Sequence, residues 1–126
     1  MTQKDEESEP MEWIASDRYA ARNKLKAYAK KHPKELAGCI KNLKLLIAML
    51  NDNGTIGTVK AGFFRNEFDG IYRIGQTGVA SAKETRLYVH PKGTVLHVLT
   101  VGDKDTQQDD LRLCAKITKQ IDGDKR

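Results

Sequence analysis

Cysteine is nearly absent from this chain. Its 126 residues hold only Cys39 and Cys114, too few and too far apart for a disulfide scaffold, and free thiols in apolar helical patterns suit a reducing compartment. No apolar run approaches the roughly 20 residues that a membrane-spanning helix requires. The first ten residues are acidic and polar, which is not the cationic start and apolar middle of a secretory leader. There is no internal repeat, no glycine-rich phosphate loop, no nucleophile elbow and no HExxH helix. Cys39, Cys114, His90 and His97 have no zinc-ligand spacing. The expectation is a single cytoplasmic domain without a metal, a membrane segment or a small-molecule cofactor.

Acidic residues are also scarce in one region. Between Arg18 and Lys44 the only acid is Glu35, against nine basic residues: Arg18, Arg22, Lys24, Lys26, Lys30, Lys31, Lys34, Lys41 and Lys44. The whole chain carries 22 Lys+Arg and 17 Asp+Glu, a net charge of +5. Residues 1–10 hold Lys4 and four of the acids; the remainder has 21 basic and 13 acidic residues, a net of +8. A one-signed surface of this kind draws in polyanions such as RNA. The same charge run also describes a solvated helix face that keeps a protein soluble.

Hydrophobic periodicity divides the chain. Residues 1–10 read as a disordered acidic tail, with Met11 a second candidate start, and residues 122–126 as a flexible tail around a domain over 11–121. Glu12 to Ala15 reads as a short strand. Ser16 or Asp17 then offers an N-cap for a helix to about Lys31, with Leu25, Tyr28 and Ala29 inward. Pro33 opens a second helix, in which Leu36, Ile40, Leu43, Ile47 and Leu50 repeat with the helical period. Gly62–Gly70 reads as an irregular strand or loop. Ile71–Ile74, Thr85–His90 and Thr94–Val101 read as strands, the last two joined through Pro91-Lys92-Gly93 and the first two by a long loop over Gly75–Lys83. A final helix runs from about Gln107 to Ile121 and buries Leu111, Cys114, Ile117 and Ile121. The expected fold is α+β, β-α-α-β-β-β-α, an antiparallel sheet with the helical hairpin on one face and a C-terminal helix.

That order of elements resembles the RelE/ParE toxin superfamily across residues 11–121, and short motifs accompany it. Gly70-Ile71-Tyr72-Arg73-Ile74 is similar to the family strand that places a basic residue after an aromatic one. Thr85-Arg86-Leu87-Tyr88-Val89 resembles the next strand with its early arginine. Val98-Leu99-Thr100-Val101-Gly102-Asp103-Lys104 resembles the apolar strand that ends in glycine and basic residues, and the helix with Leu111, Ala115 and Lys116 resembles the closing helix. The resemblance implies the toxin of a toxin–antitoxin pair, a ribosome-dependent mRNA endoribonuclease held in check by an acidic, partly disordered antitoxin. Two other implications stay open: a gyrase-directed protein binder of ParE type, and a catalytically degenerate RNA- or ribosome-binding module.

RNA cleavage of this type needs a base for the 2′-hydroxyl, an acid for the leaving oxygen and fixed cations for the phosphate. The resemblance assigns those positions to Arg86, Lys104 and Arg73. Arg86 is the expected phosphate grip, because a planar guanidinium can hold two oxygens; Lys104 is a second clamp or proton donor. Arg73 cannot be a base, since arginine keeps its proton. His90 shares a strand face with Tyr88 and Arg86 and can act as acid or base. Each also has a structural reading: Arg73 as the exposed member of an alternating strand, Arg86 as an ion pair near Glu84, Lys104 as a turn residue, and His90 as a hydrogen bonder. The closing helix carries Asp109 and Asp110, and Gly75 stands where the family has a strand lysine. Both departures weaken the expected nuclease site.

Overall fold

The computed structural model describes residues 12–52, 54–79 and 83–124. The acidic tail expected over residues 1–10 lies outside them. The described elements are β1 (Ile14–Ser16), α1 (Arg22–Lys31), α2 (Pro33–Asn51), β2 (Phe64–Phe68), β3 (Ile71–Gly75), β4 (Thr85–Lys92), β5 (Val95–Asp103), one 3₁₀ turn (Lys104–Thr106) and α3 (Gln107–Gly123). The α+β class is as expected. Among the described residues no helix is long and apolar enough to cross a membrane.

The helical hairpin follows from its punctuation. Pro33 occupies the first turn of α2, where a missing N–H costs nothing. The backbone N–H of His32 closes α1 onto Tyr28 O. α1 begins later than expected. Ser16 belongs to β1, its hydroxyl takes the N–H of Arg18 at 3.2 Å, and the N–H of Ala21 is bonded to Leu99 O at 2.8 Å. Those bonds hold residues 17–21 as a turn across the edge of β5, so the helix starts only at Arg22.

The buried stripe of α2 is rotated from the expected one. Leu36, Cys39, Leu43, Leu46 and Leu50 are buried, while Ile40 is 40 % exposed. Both sets obey the helical period. The sheet lies under Cys39 and Leu46, and Ile40 turns toward α1 instead. Each fully buried leucine stabilises the fold by about 2 kcal/mol of transferred apolar surface.

The sheet has five strands in the order β1-β5-β4-β3-β2, one more than expected. β2 and β3 form a hairpin whose turn, Asp69-Gly70, has φ of 49° and 76°. That is the backbone hand favoured by two-residue hairpin turns. Phe64 stacks on Tyr72 across this pair, 4.9 Å between ring centres. β4 and β5 also form a hairpin, but Pro91 and Lys92 remain in the strand and Gly93-Thr94 makes the turn. β1 runs parallel to β5, so the sheet is mixed rather than wholly antiparallel.

Alternation along the strands gives two cores. Leu87, Val89, Leu96, Val98 and Val101 face the α1–α2 hairpin with Ile74 and Phe64. Ile71, Tyr88 and Leu99 face α3 with Cys114, Ile117 and Ile121. The closing helix therefore covers the opposite face, giving three layers. It also continues through Asp122 to Gly123, into the stretch read as a flexible tail. Cys39 and Cys114 lie on opposite sides of the sheet, and burial pushes both thiols up to about 12.

One polar cluster pins α3 to the end of β5. Asp110 has no exposed surface; its carboxylate accepts from Thr106 Oγ1 at 2.6 Å and pairs with Lys24 Nζ at 2.7 Å. Asp103 and Thr106 close a capping box around the intervening 3₁₀ turn. A Cβ at Gly102 would overlap the Asp110 carboxylate, so only glycine lets the helix approach this closely.

Candidate nucleic-acid interface

Strand register brings arginines together at the end of the sheet where β4 begins. Arg65 is paired with Arg73 across β2 and β3, and Gly75 is paired with Arg86 across β3 and β4. Cross-strand partners share a face and residues two apart on one strand share it too. Arg65, Arg73 and Arg86 accordingly line one cleft of about 240 Å³, with Glu84, Gln76 and Phe63 among its other walls.

A chain of polar contacts fixes two of these guanidiniums. Arg86 Nη1 donates to Gln107 Oε1 at 2.5 Å, Gln107 Nε2 reaches Glu67 Oε1 at 3.5 Å, and Glu67 Oε2 pairs with Arg73 Nε at 3.1 Å. Arg86 is only 8 % exposed, and its Nε has no hydrogen-bond partner. A buried donor left this way costs about 1–3 kcal/mol. Gln76 braces the start of β4: its amide nitrogen donates to Lys83 O and its oxygen accepts from Thr85 N, both at 2.8 Å. The cleft therefore presents fixed positive charge beside a single lining carboxylate, Glu84, among the described residues.

Two expected members are elsewhere. Lys104 is exposed on the 3₁₀ turn and is not part of the cleft wall. The strand it was expected to end gives way to a capped turn at Asp103, which directs the next residue outward. His90 shares the α3 face with Arg86, but four residues of strand put it roughly 13 Å away. There His90 Nδ1 bonds to Gly70 O at 2.8 Å and Nε2 lies 3.5 Å from Asp122. The ring thus ties the β2–β3 turn to the end of α3, away from the arginine cleft.

His97, paired with His90 across β4 and β5, is the titratable group that the fold perturbs at this far end. Burial first, then the positive groups at His90, Lys92 and Arg18, hold His97 below the ordinary histidine value of 6.5. The fold thus favours the neutral ring. That stabilisation is complete above the unfolded value, about 6.5, and is lost as pH falls through the lowered folded value. Replacing His97 with Gln is expected to flatten the decline of Tm between about pH 7 and 5; an unchanged slope in thermal melts would remove His97 as its source.

The basic hairpin is less uniform than its sequence. Arg18 pairs with Asp124 at 3.6 Å, Arg22 with Asp17 at 3.7 Å, and Lys24 with the buried Asp110. Lys26, Lys30, Lys31, Lys34, Lys41 and Lys44 are exposed without an ion pair among the described residues. They form the free cationic surface.

Arg65, Glu67, Glu84 and Gln107 were not among the expected site residues. Arg65 and Glu67 sit on β2, whose sequence pattern predicts only an irregular strand or loop, and Gln107 enters from a helix on another layer. The Asp69-Gly70 pair was the one local signal that could have revealed β2 and, with it, the register of Arg65. No protein-family model, curated protein or solved structure matches this chain.

Proposed function

We propose that this chain is a toxin of RelE/ParE type that cleaves mRNA on the ribosome without a metal ion. The observation that carries the reading is the cleft in which Arg65, Arg73 and Arg86 meet beside Glu84. A phosphodiester seated there places its non-bridging oxygens against the parts of the Arg86 and Arg73 side chains that line the cleft. Glu84, a carboxylate with acceptor-only chemistry when ionised, takes the proton of the adjacent 2′-hydroxyl. The freed oxygen attacks phosphorus, the 5′ oxygen leaves, and water at the open mouth of the cleft protonates it. Arginine charge stabilises the phosphorane formed between those events. The free lysines of the hairpin supply the contact with ribosomal RNA.

The antitoxin has a matching surface. Leu25, Ala29, Leu36, Ile40 and Leu43 line an almost wholly apolar groove of about 380 Å³ between α1 and α2, flanked by Lys26. An acidic segment that folds as an amphipathic helix on binding would place its apolar side there and its carboxylates on the surrounding lysines.

Expression of the chain is expected to arrest growth, with transcripts cut within codons. Glu84→Gln should slow cleavage about 10²-fold, the scale of a lost general base. Arrest with intact transcripts and inhibited DNA supercoiling would replace this reading with a gyrase-directed binder. No arrest would leave an RNA-binding module.

A further inference from the structure

A second cleft opens at the same end of the sheet, on the hairpin side. It has a volume of about 380 Å³ and is lined by Lys24, Tyr28, Lys31, His32, Lys83 and Asp103 among others. Its relation to the arginine cleft is set by four consecutive residues. Lys83 lines the hairpin-side cleft, while Glu84, Thr85 and Arg86 line the arginine cleft. The two are also stitched together, because Tyr28 Oη and Thr85 Oγ1 are hydrogen-bonded at 2.7 Å. Only the start of β4 separates them.

The chemistry of the two clefts differs. The arginine cleft is made for an anion. The hairpin-side cleft has Asp103 in its wall, 9 % exposed and held by the amide of Asp105 at 2.8 Å. A carboxylate repels a phosphate, but it accepts hydrogen bonds from base amino groups and ribose hydroxyls. Beside it the rings of Tyr28 and His32 lie with centres 4.8 Å apart, an aromatic pair of the kind on which bases stack. Lys24 and Lys83 are ion-paired, with Asp110 and with Asp103 and Asp105 respectively. Lys31 is exposed and has no ion pair among the described residues, so it is the cation left for a flanking phosphate.

We infer that the hairpin-side cleft is a second nucleotide subsite, and that the ligand of this end of the molecule is one RNA strand crossing residues 83–86 with a phosphate in the arginine cleft and a neighbouring nucleoside against Tyr28, His32 and Asp103. This deepens the proposed function and rests on it. Affinity then grows with strand length, since a dinucleotide fills only the arginine cleft whereas a longer strand engages both.

The test is binding of 2′-O-methyl RNA, which lacks the attacking hydroxyl and is not cut, as a dinucleotide and as an octanucleotide, to the full chain in low salt. Wild type is expected to bind the octanucleotide at least about thirtyfold more tightly, as stacking and an added phosphate contact would give. Lys31→Glu should remove about tenfold of that gain and cost the dinucleotide no more than Lys119→Glu does, the same charge change on the exposed side of α3, which should cost less than about threefold on either length. An octanucleotide bound no better than the dinucleotide, or equal losses in the two variants, would overturn the second subsite while leaving the arginine cleft standing. If neither length binds wild type, whether alone or with ribosomes present, the proposed function fails and this inference fails with it.

Discussion

Arg86→Ala is expected to reduce transcript cleavage by at least about 10²-fold, the usual loss when one fixed stabiliser of a developing anion is removed. Arg86→Lys should recover little of it. A lysine is a compact point charge, and the site uses a planar fork with one arm anchored on Gln107 and another nitrogen left unpartnered. The alanine variant also strands the Gln107 oxygen and opens space beneath the sheet, so about 1–3 kcal/mol of stability should go with it. Circular dichroism melts and cleavage assays on the same preparations separate the two effects. A folded Arg86→Ala protein that cuts RNA at the wild-type rate would remove the arginine cleft from the chemistry.

The largest stability effect is expected at the Lys24–Asp110 pair. Lys24→Met leaves a carboxylate with no exposed surface and one remaining hydroxyl donor, Thr106. Removing one partner of a buried pair costs about 3–5 kcal/mol. Because the Lys24 side chain is 45 % exposed and water reaches its ammonium, the lower end of that range, about 3 kcal/mol, is appropriate. Asp110→Asn should cost less, about 1 kcal/mol, since the amide still accepts from Thr106 and Lys24 is free to turn outward into water. Urea unfolding of the two variants checks the order. A Lys24→Met cost equal to or below that of Asp110→Asn would show that the carboxylate is not the burdened partner.

The same pair shows where sequence reading ends. Lys24 and Asp110 are 86 positions apart, and nothing local to either distinguishes Lys24 from the other lysines of its helix. Its apparent role as one more surface cation is revised by a contact that only the packed layers create. The helical hairpin was legible because its information is local: Pro33 sets the break, and apolar spacing marks the helix. Which side of α2 faces inward was not, since the Ile40 and Cys39 stripes both fit the helical period and only the position of the sheet chooses between them. Arg73 and Arg86 could be placed on strands from alternation. Their neighbour Arg65 could not, because its position depends on a hairpin read as irregular, and Lys104 was drawn toward them by a strand that in fact ends in a capped turn at Asp103.

The missing side chain at Gly102 has a wider consequence. With Asp110 seated against that bare backbone, the first turn of α3 cannot slide along or roll over the sheet, and Gln107, one turn upstream, is carried with it. The orientation of the Arg86 fork is thus inherited from a contact on the neighbouring strand that lies outside the arginine cleft. Gly102→Ala would push this anchorage apart, misaligning the guanidinium from a distance: a lesion in the joinery that reads out as a change in grip.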